Sequence, residues 1–274
     1  MTRARTTLAV VLATLLAVAS TVRADDARVR AEFDQAMSDY DEALAVRETD
    51  PDQARRMFRA TAQRLGSLAA SGIHNGSLEY DLGNCYLQAG DLGQAILHYR
   101  RAERLMPRDP LLIDNLREAR SRRITNIEPT RRGTVLRNVF FWHYETTWTA
   151  RIIACLIAYA AFWLLIMLRT FTKRRAITGA AVACLALTAL LAGSVASDYG
   201  ARRNAPAGVV TAMDVVVSKG PGSGYQRQFA QPLQPGVEFR VRERRGEWWR
   251  IELPDGKTGW IETSTGDLVD GNTL

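Results

Sequence analysis

Apolar residues are spread unevenly along this chain, and the pattern changes three times. Continuous apolar runs occupy residues 8–19, 152–168 and 176–196. Between the first two runs the chain reads as helical. Residues 110–122 place Leu112, Ile113, Leu116 and Ala119 three and four positions apart, the spacing of an amphipathic helix. After Ala205-Pro206-Ala207, short β-rich runs alternate with glycine and proline: 209–213, 214–217, 237–242, 248–253 and 258–261. Such even spacing predicts a small all-β domain.

The helical region carries a repeat signal. Between Gly76 and Asp109 stand Leu82-Gly83, Tyr86, Gly90-Asp91, Ala95, Tyr99, Ala102 and Pro107. They fill the tetratricopeptide pattern in order and at its spacing, except that Glu79 takes the tryptophan position and Tyr99 replaces phenylalanine. Gly83 and Ala95 are small where two antiparallel helices approach closely, Gly90-Asp91 turns the chain, and Pro107 stops the second helix. One repeat cannot bury its own face. A degenerate earlier repeat is read at residues 33–40 and at Ala54 and Phe58, with a turn at Asp50-Pro51-Asp52, and residues 110–122 read as a cap. The groove-facing positions of such a repeat fall on Ser77, Tyr80, Asn84, Leu87 and Gln88. His98, on the second helix, is expected at the surface.

The first apolar run follows Arg3 and Arg5 and ends at Val22-Arg23-Ala24, the layout of a secretory signal peptide over 1–24, cleaved after Ala24 or kept as an anchor. The other two runs are of membrane-spanning length and lack a polar face, and little chain separates them, so they predict a helical hairpin. Arg169, Lys173, Arg174 and Arg175 between them place the loop in the cytoplasm and both flanking domains outside. Arg131, Arg132, Arg137, Arg202 and Arg203 oppose that rule from the outer side, but the dense short loop outweighs them. Val139-Phe140-Phe141-Trp142-His143-Tyr144 and Trp148 suit a short interfacial helix.

The domain reading is a signal peptide (1–24), a helical domain (25–125), a linker with the interfacial helix (126–148), spans at 149–170 and 176–197 around a cytoplasmic loop (171–175), a linker (198–207) and a barrel (208–274). The net charge of +7 invites a nucleic-acid reading, yet the arginines are spread along helices and beside the apolar runs, so nucleic acid is not expected as a partner. Cys85, Cys155 and Cys184 are too scattered for a disulfide framework or a metal site, and Cys85 reads as a packed small side chain. No phosphate loop, HExxH or GxSxG occurs, so no cofactor, metal or catalysis is expected.

The C-terminal stretch resembles bacterial SH3-like domains through residues 215–221, Leu233-x-Pro235-Gly236-x-Glu238-Phe239, Gly246-Glu247-Trp248-Trp249-x-Ile251 and residues 255–261. Asp255-Gly256 gives a tight turn, Gly259 a bend, and Trp260 packs across the barrel. The run departs from that family at Val217-Ser218, where an arginine is usual. Some such domains bind cell-wall peptides or proline-rich segments through aromatic grooves, a role that Tyr225, Phe229, Trp248 and Trp249 could fill here; the alternative is that Trp248 and Trp260 belong to the barrel's core and rim. The architecture is thus multidomain, α and β: an α-helical tetratricopeptide solenoid, a two-helix transmembrane hairpin and a small all-β SH3-like barrel.

That order of parts resembles the BatE-like proteins of the Bacteroides aerotolerance operons over nearly the whole mature chain. The resemblance implies partners among membrane proteins with von Willebrand factor A domains and a MoxR-type ATPase, and a part in stress or oxygen tolerance. Two functions stay open. One is a non-catalytic adaptor in the bacterial inner membrane, in contact with its lipids, that scaffolds an envelope complex from the periplasmic face. The other is a protein that binds peptidoglycan through its SH3-like domain.

Overall fold

The structure, a computed structural model, describes residues 27–73, 75–125, 127, 146–172 and 174–271. The signal-peptide reading, the interfacial aromatics before Trp148 and the arginines at 131, 132 and 137 lie outside the described residues. Contacts divide the described residues into two compact units: residues 27–73 with Gln88–Gly90, and Asn75–Leu87 with the described residues from Asp91 onward.

In the first unit, α1 covers 27–46 and α2 covers Pro51–Ala70. Asp50 caps α2 by accepting the Gln53 amide (2.8 Å), and Pro51 occupies the first turn, where no backbone donor is needed. Ala54, Phe58, Ala62 and Leu65 recur along one stripe of α2 and are buried. Phe58, fully buried, meets the edge of Tyr40 (5.2 Å between centroids) and packs with Ala43, Ala54 and Ala89. Burial of a side chain of that size contributes about 3 kcal/mol.

The second unit begins with α3 (Gly76–Ala89), α4 (Leu92–Leu105) and α5 (Pro110–Ser121). The small residue at position 83 has a direct cause: a Cβ there would lie 2.4 Å from the Tyr99 ring. Gly90, at φ +83°, ends α3 in a left-handed conformation. Asp109 caps α5 by accepting the Leu112 amide (3.0 Å). His98 is buried, not at the surface as its sequence reading had it. The departure at Glu79 explains this: a carboxylate stands where the repeat pattern has tryptophan, and His98 Nδ1 donates to Glu79 Oε2 at 2.7 Å. Tyr86 stacks on the imidazole at 5.2 Å.

Two apolar helices follow, α6 (Trp148–Phe171) and α7 (Arg175–Asn204), packed as a pair. Within Trp148–Phe171 and Arg175–Gly200, stretches of 18 residues reach mean hydropathies of 2.3 and 2.0, and both helices are long enough to cross a membrane. The last turn of α7 continues beyond the second span. At the end of the pair away from the loop, Arg151 is buried; it donates to Ser194 Oγ (2.7 Å) and pairs with Asp198.

The C-terminal strands form a five-stranded antiparallel sheet in the order β4-β3-β2-β1-β5: β1 Ala207–Val210, β2 Glu238–Arg245, β3 Trp248–Glu252, β4 Thr258–Glu262 and β5 Gly266–Leu268. Alternation along β3 sends Trp249 and Ile251 inward, where they join Val217, Leu233, Phe239, Val241 and Ile261. The expected strand at 214–217 does not form a ladder; Val215 bridges to Leu233, and Ser218 exchanges two backbone bonds with Trp260 (2.8 Å each) along the outer edge of β4. Gly259 is required by that crossing, since a Cβ would lie 2.3 Å from Val217 Cγ1. The short β5 had no sequence signal, being only Gly-Asp-Leu.

Candidate functional site

On α3, Tyr80 and Asn84 are drawn together by α5. Asn115 Nδ2 donates to Tyr80 Oη and to Asn84 Oδ1, both at 2.9 Å, and Tyr99 Oη donates to the same Asn84 oxygen at 2.7 Å. The Asn84 side-chain carbonyl is therefore committed to the fold. Ser77 is exposed one turn before, and Leu87 is half-buried beside the helical core. Gln88 belongs to the first unit, where Arg47 donates to it at 3.4 Å. Asn115 was not singled out by the sequence, because the repeat pattern ends before α5.

The four SH3-side aromatics are not gathered on one surface. Trp249 faces the interior at 5% exposure, Trp260 is buried at 7%, Trp248 is half-buried, and Tyr225 is exposed over the glycine-rich loop at Gly220 and Gly222. Phe229 leans on the core and lines a shallow hollow of about 160 Å³ with Asp214, Val216, Arg227, Gln231 and Pro232.

Burial pushes the Asp81 carboxyl up to about 6. It also raises the thiol of Cys85, 1% exposed, to about 12, with Asp81 adding to the effect. Such a thiol is a packing group, not a nucleophile. Among the described residues no group of three His, Cys, Asp or Glu side chains is placed to hold a metal ion.

What sequence reading missed is that α4 and the sheet share one core. Val209 and Val269 pack with Ala95, Ile96, Leu97, Tyr99, Leu112 and Leu116. Gly93 lets α4 approach, as its Cβ would lie 2.7 Å from the Val210 carbonyl oxygen. Gly236, at φ +89°, sits under Ile96 in the same way. Arg101 Nη2 donates to the Leu268 carbonyl (3.1 Å), Gln94 to Asp267 (3.4 Å), and Arg104 pairs with Asp270.

Glu238 joins the two parts most tightly. Arg120 grips it with two bonds, Nε to Oε2 at 3.0 Å and Nη2 to Oε1 at 2.8 Å. Arg100 Nε stands 3.1 Å from Oε1 and Arg123 Nη1 3.5 Å from Oε2. Burial alone would raise this carboxyl, but the three guanidinium groups hold it below the ordinary glutamate value.

A helical repeat and a small antiparallel sheet thus share one core. Comparison with known families recognises both parts: residues 78–109 match the family described as tetratricopeptide repeat, and residues 212–265 match the one described as bacterial SH3 domain. The chain thus carries both modules, and both are typically non-catalytic. Neither match reaches half of the chain, and β1, β5 and α5, which build the joint, lie outside both. No curated protein and no solved structure matches the chain.

Proposed function

We propose that this protein is a membrane-anchored, non-catalytic adaptor, in which a tetratricopeptide–SH3 head is held at the outer face of the bacterial inner membrane and scaffolds an envelope complex through α3. The shared core of α4 with β1 carries the reading. Modules that pack through Ile96, Val209 and Val269 have to stand on one side of any membrane. The two apolar helices between them in sequence return the chain to the side it left. Outward-facing Ile153, Leu156, Trp163, Leu164 and Met167 on α6, with Val182, Leu185 and Leu190 on α7, form an apolar exterior that suits lipid and not water. The exposed Arg169, Arg174 and Arg175 beside the hairpin loop favour a cytoplasmic loop and an external head.

The resemblance to BatE-like proteins supports membrane partners with von Willebrand factor A domains and a role in stress or oxygen tolerance. The α3 face of the second unit offers Ser77, Tyr80, the Asn84 amide and Leu87 to a partner's extended segment or helix. Asn84→Asp keeps the acceptor used by Tyr99 and Asn115 while removing the donor that would reach a partner carbonyl. Asn84→Asp with Ser77→Arg is expected to reduce co-purification with the membrane partner about tenfold without a change in stability. Unchanged recovery would remove this face from the mechanism.

The second reading, peptidoglycan binding, is favoured by the hollow beside Phe229, which combines Asp214, Arg227 and Gln231. Its test needs the whole chain in detergent, since a fragment from residue 205 would strip Val209 and Val269 of their cover. Retention on isolated cell wall that Phe229→Ala and Arg227→Ala abolish would favour this reading over the adaptor.

A further inference from the structure

We infer that the β2–β3 hairpin is a second membrane contact, whose tip binds the anionic phospholipid headgroups of the bilayer that α6 and α7 enter. The inference rests on the anchor reading above and adds a surface to it. The register pairs Ala207 with Arg240 and Val209 with Glu238, so β2 runs antiparallel to β1 and continues past its first residue. The Val241 amide donates to the Pro206 carbonyl at 2.9 Å, and α7 ends two residues before that proline. The hairpin tip therefore projects from the end of the sheet that α7 enters. Four helical residues separate the second span from the end of α7, a rise of about 6 Å. From Val241 to Arg245, β2 covers about 13 Å, which brings the tip within reach of the headgroup layer.

The charge of this hairpin fits that position. Five arginines, Arg240, Arg242, Arg244, Arg245 and Arg250, stand against Glu243 and Glu247 between residues 240 and 250, and all five are exposed. Arg242 pairs with Glu252, while Arg245 and Arg250 share Glu243. Among the described residues, Arg240 and Arg244 have no carboxylate partner. The Arg244 guanidinium lies 6.0 Å over the Trp249 ring and that of Arg245 5.5 Å over Trp260, contacts that hold both side chains on the sheet. Trp248 stands beside them half-buried, and an indole of that kind favours the membrane interface. The sequence shows arginine at every second position from 240 to 244, and the register shift between Val241 and Glu243 then sets Arg240 opposite Glu252 and Arg244 opposite Trp249, so the arginines flank the hairpin on both of its faces.

The full chain is reconstituted in lipid nanodiscs of phosphatidylcholine alone or with one-third phosphatidylglycerol, and amide hydrogen exchange is measured. Each arginine near an anionic surface contributes about fivefold in binding, or about 1 kcal/mol. Residues 244–248 are expected to exchange at least about fivefold more slowly in the anionic discs, and Arg240→Gln/Arg244→Gln/Arg245→Gln should abolish the difference. Equal exchange at Ile251 and Ile261 in all samples keeps the variant's fold in evidence. Equal exchange at the tip in both discs overturns the inference while leaving the anchor reading intact. Equal protection by soluble glycerol phosphate added to neutral discs overturns it too, because any phosphate would then serve. A chain that enters neither disc overturns the anchor reading and this inference with it.

Discussion

Neutralising Glu238 should loosen the joint between the repeat and the sheet. Glu238→Gln keeps the shape of the side chain and removes its charge. Arg100 retains Glu103 as a partner, so the loss falls on Arg120 and Arg123. Breaking a buried ion pair by removing one member costs about 3–5 kcal/mol. Here the carboxylate side chain is 21% exposed and that of Arg120 is 34%, which moves the expected cost to about 2–4 kcal/mol. Urea unfolding of the full chain in detergent, followed by tryptophan fluorescence, reads it, because Trp249 and Trp260 sit in the sheet that the joint supports.

The pH dependence gives a second constraint. The folded-state value of Glu238 lies below the ordinary 4.5, so its contribution is complete above that value and is lost as pH falls through the folded value. Wild type and Glu238→Gln should therefore differ by a constant amount from pH 5 to 8 and converge in stronger acid. An Arg120→Gln background should remove more than half of the effect, as the two groups act as a unit. A cost below about 0.5 kcal/mol at pH 7, or a difference that grows in acid, would refute the latch.

Two further predictions concern the helices. Asp81 has its folded-state value raised to about 6 from 3.8, so wild type should lose stability as pH rises through that window. The full shift corresponds to about 3 kcal/mol and solvent at this partly open site reduces it to about 1–2; Asp81→Asn should stabilise by that amount at pH 7.5 and by nothing below pH 3.5 in the same urea titration. Gly93→Ala should destabilise by about 1–3 kcal/mol, because the clash is with backbone at Val210 and Thr211. Gly66→Ala, in α2 with nothing within 4 Å of the added carbon, should stabilise by about 0.5–1 kcal/mol, and thermal melts of the pair test whether close approach or helix propensity sets each sign.

Helices α3 to α5 were legible because small residues, a turn glycine and two prolines recur at fixed offsets, each with a steric cause that the structure supplies. The two apolar helices were legible from continuity alone. His98 was misread because the repeat pattern says nothing about a residue whose burial depends on Glu79, nineteen positions away. The segment at 214–217 has the valines of a strand but spends them on single bridges, since the chain crosses the sheet there without running along it. On α3 the sequence singled out Tyr80 and Asn84 but not Asn115, which hydrogen-bonds to both. The joint was illegible for a deeper reason. Its members, Gly93, Ile96, Val209, Glu238 and Val269, are ordinary in their own elements and acquire meaning only through contact between segments over a hundred residues apart.

That joint limits how a partner can act on this protein. The outward side of α4 is occupied by the protein's own sheet, through Gly93 against Val210 and through the arginines that hold Glu238. A partner therefore has the α3 side of the repeat or the far side of the sheet available, and not the side between them. The repeat and the sheet also cannot swing apart without breaking a buried carboxylate cluster and uncovering Val209 and Val269. Binding at Tyr80 and Asn84 would then move α4, α5 and the sheet together, and only two residues separate the end of α7 from β1. A rigid head on so short a connection transmits a pull on the repeat directly to the two apolar helices, where a flexible linker would absorb it. If Glu238→Gln preserves partner binding yet abolishes function in cells, the adaptor works through that rigidity; if function survives, tethering alone suffices.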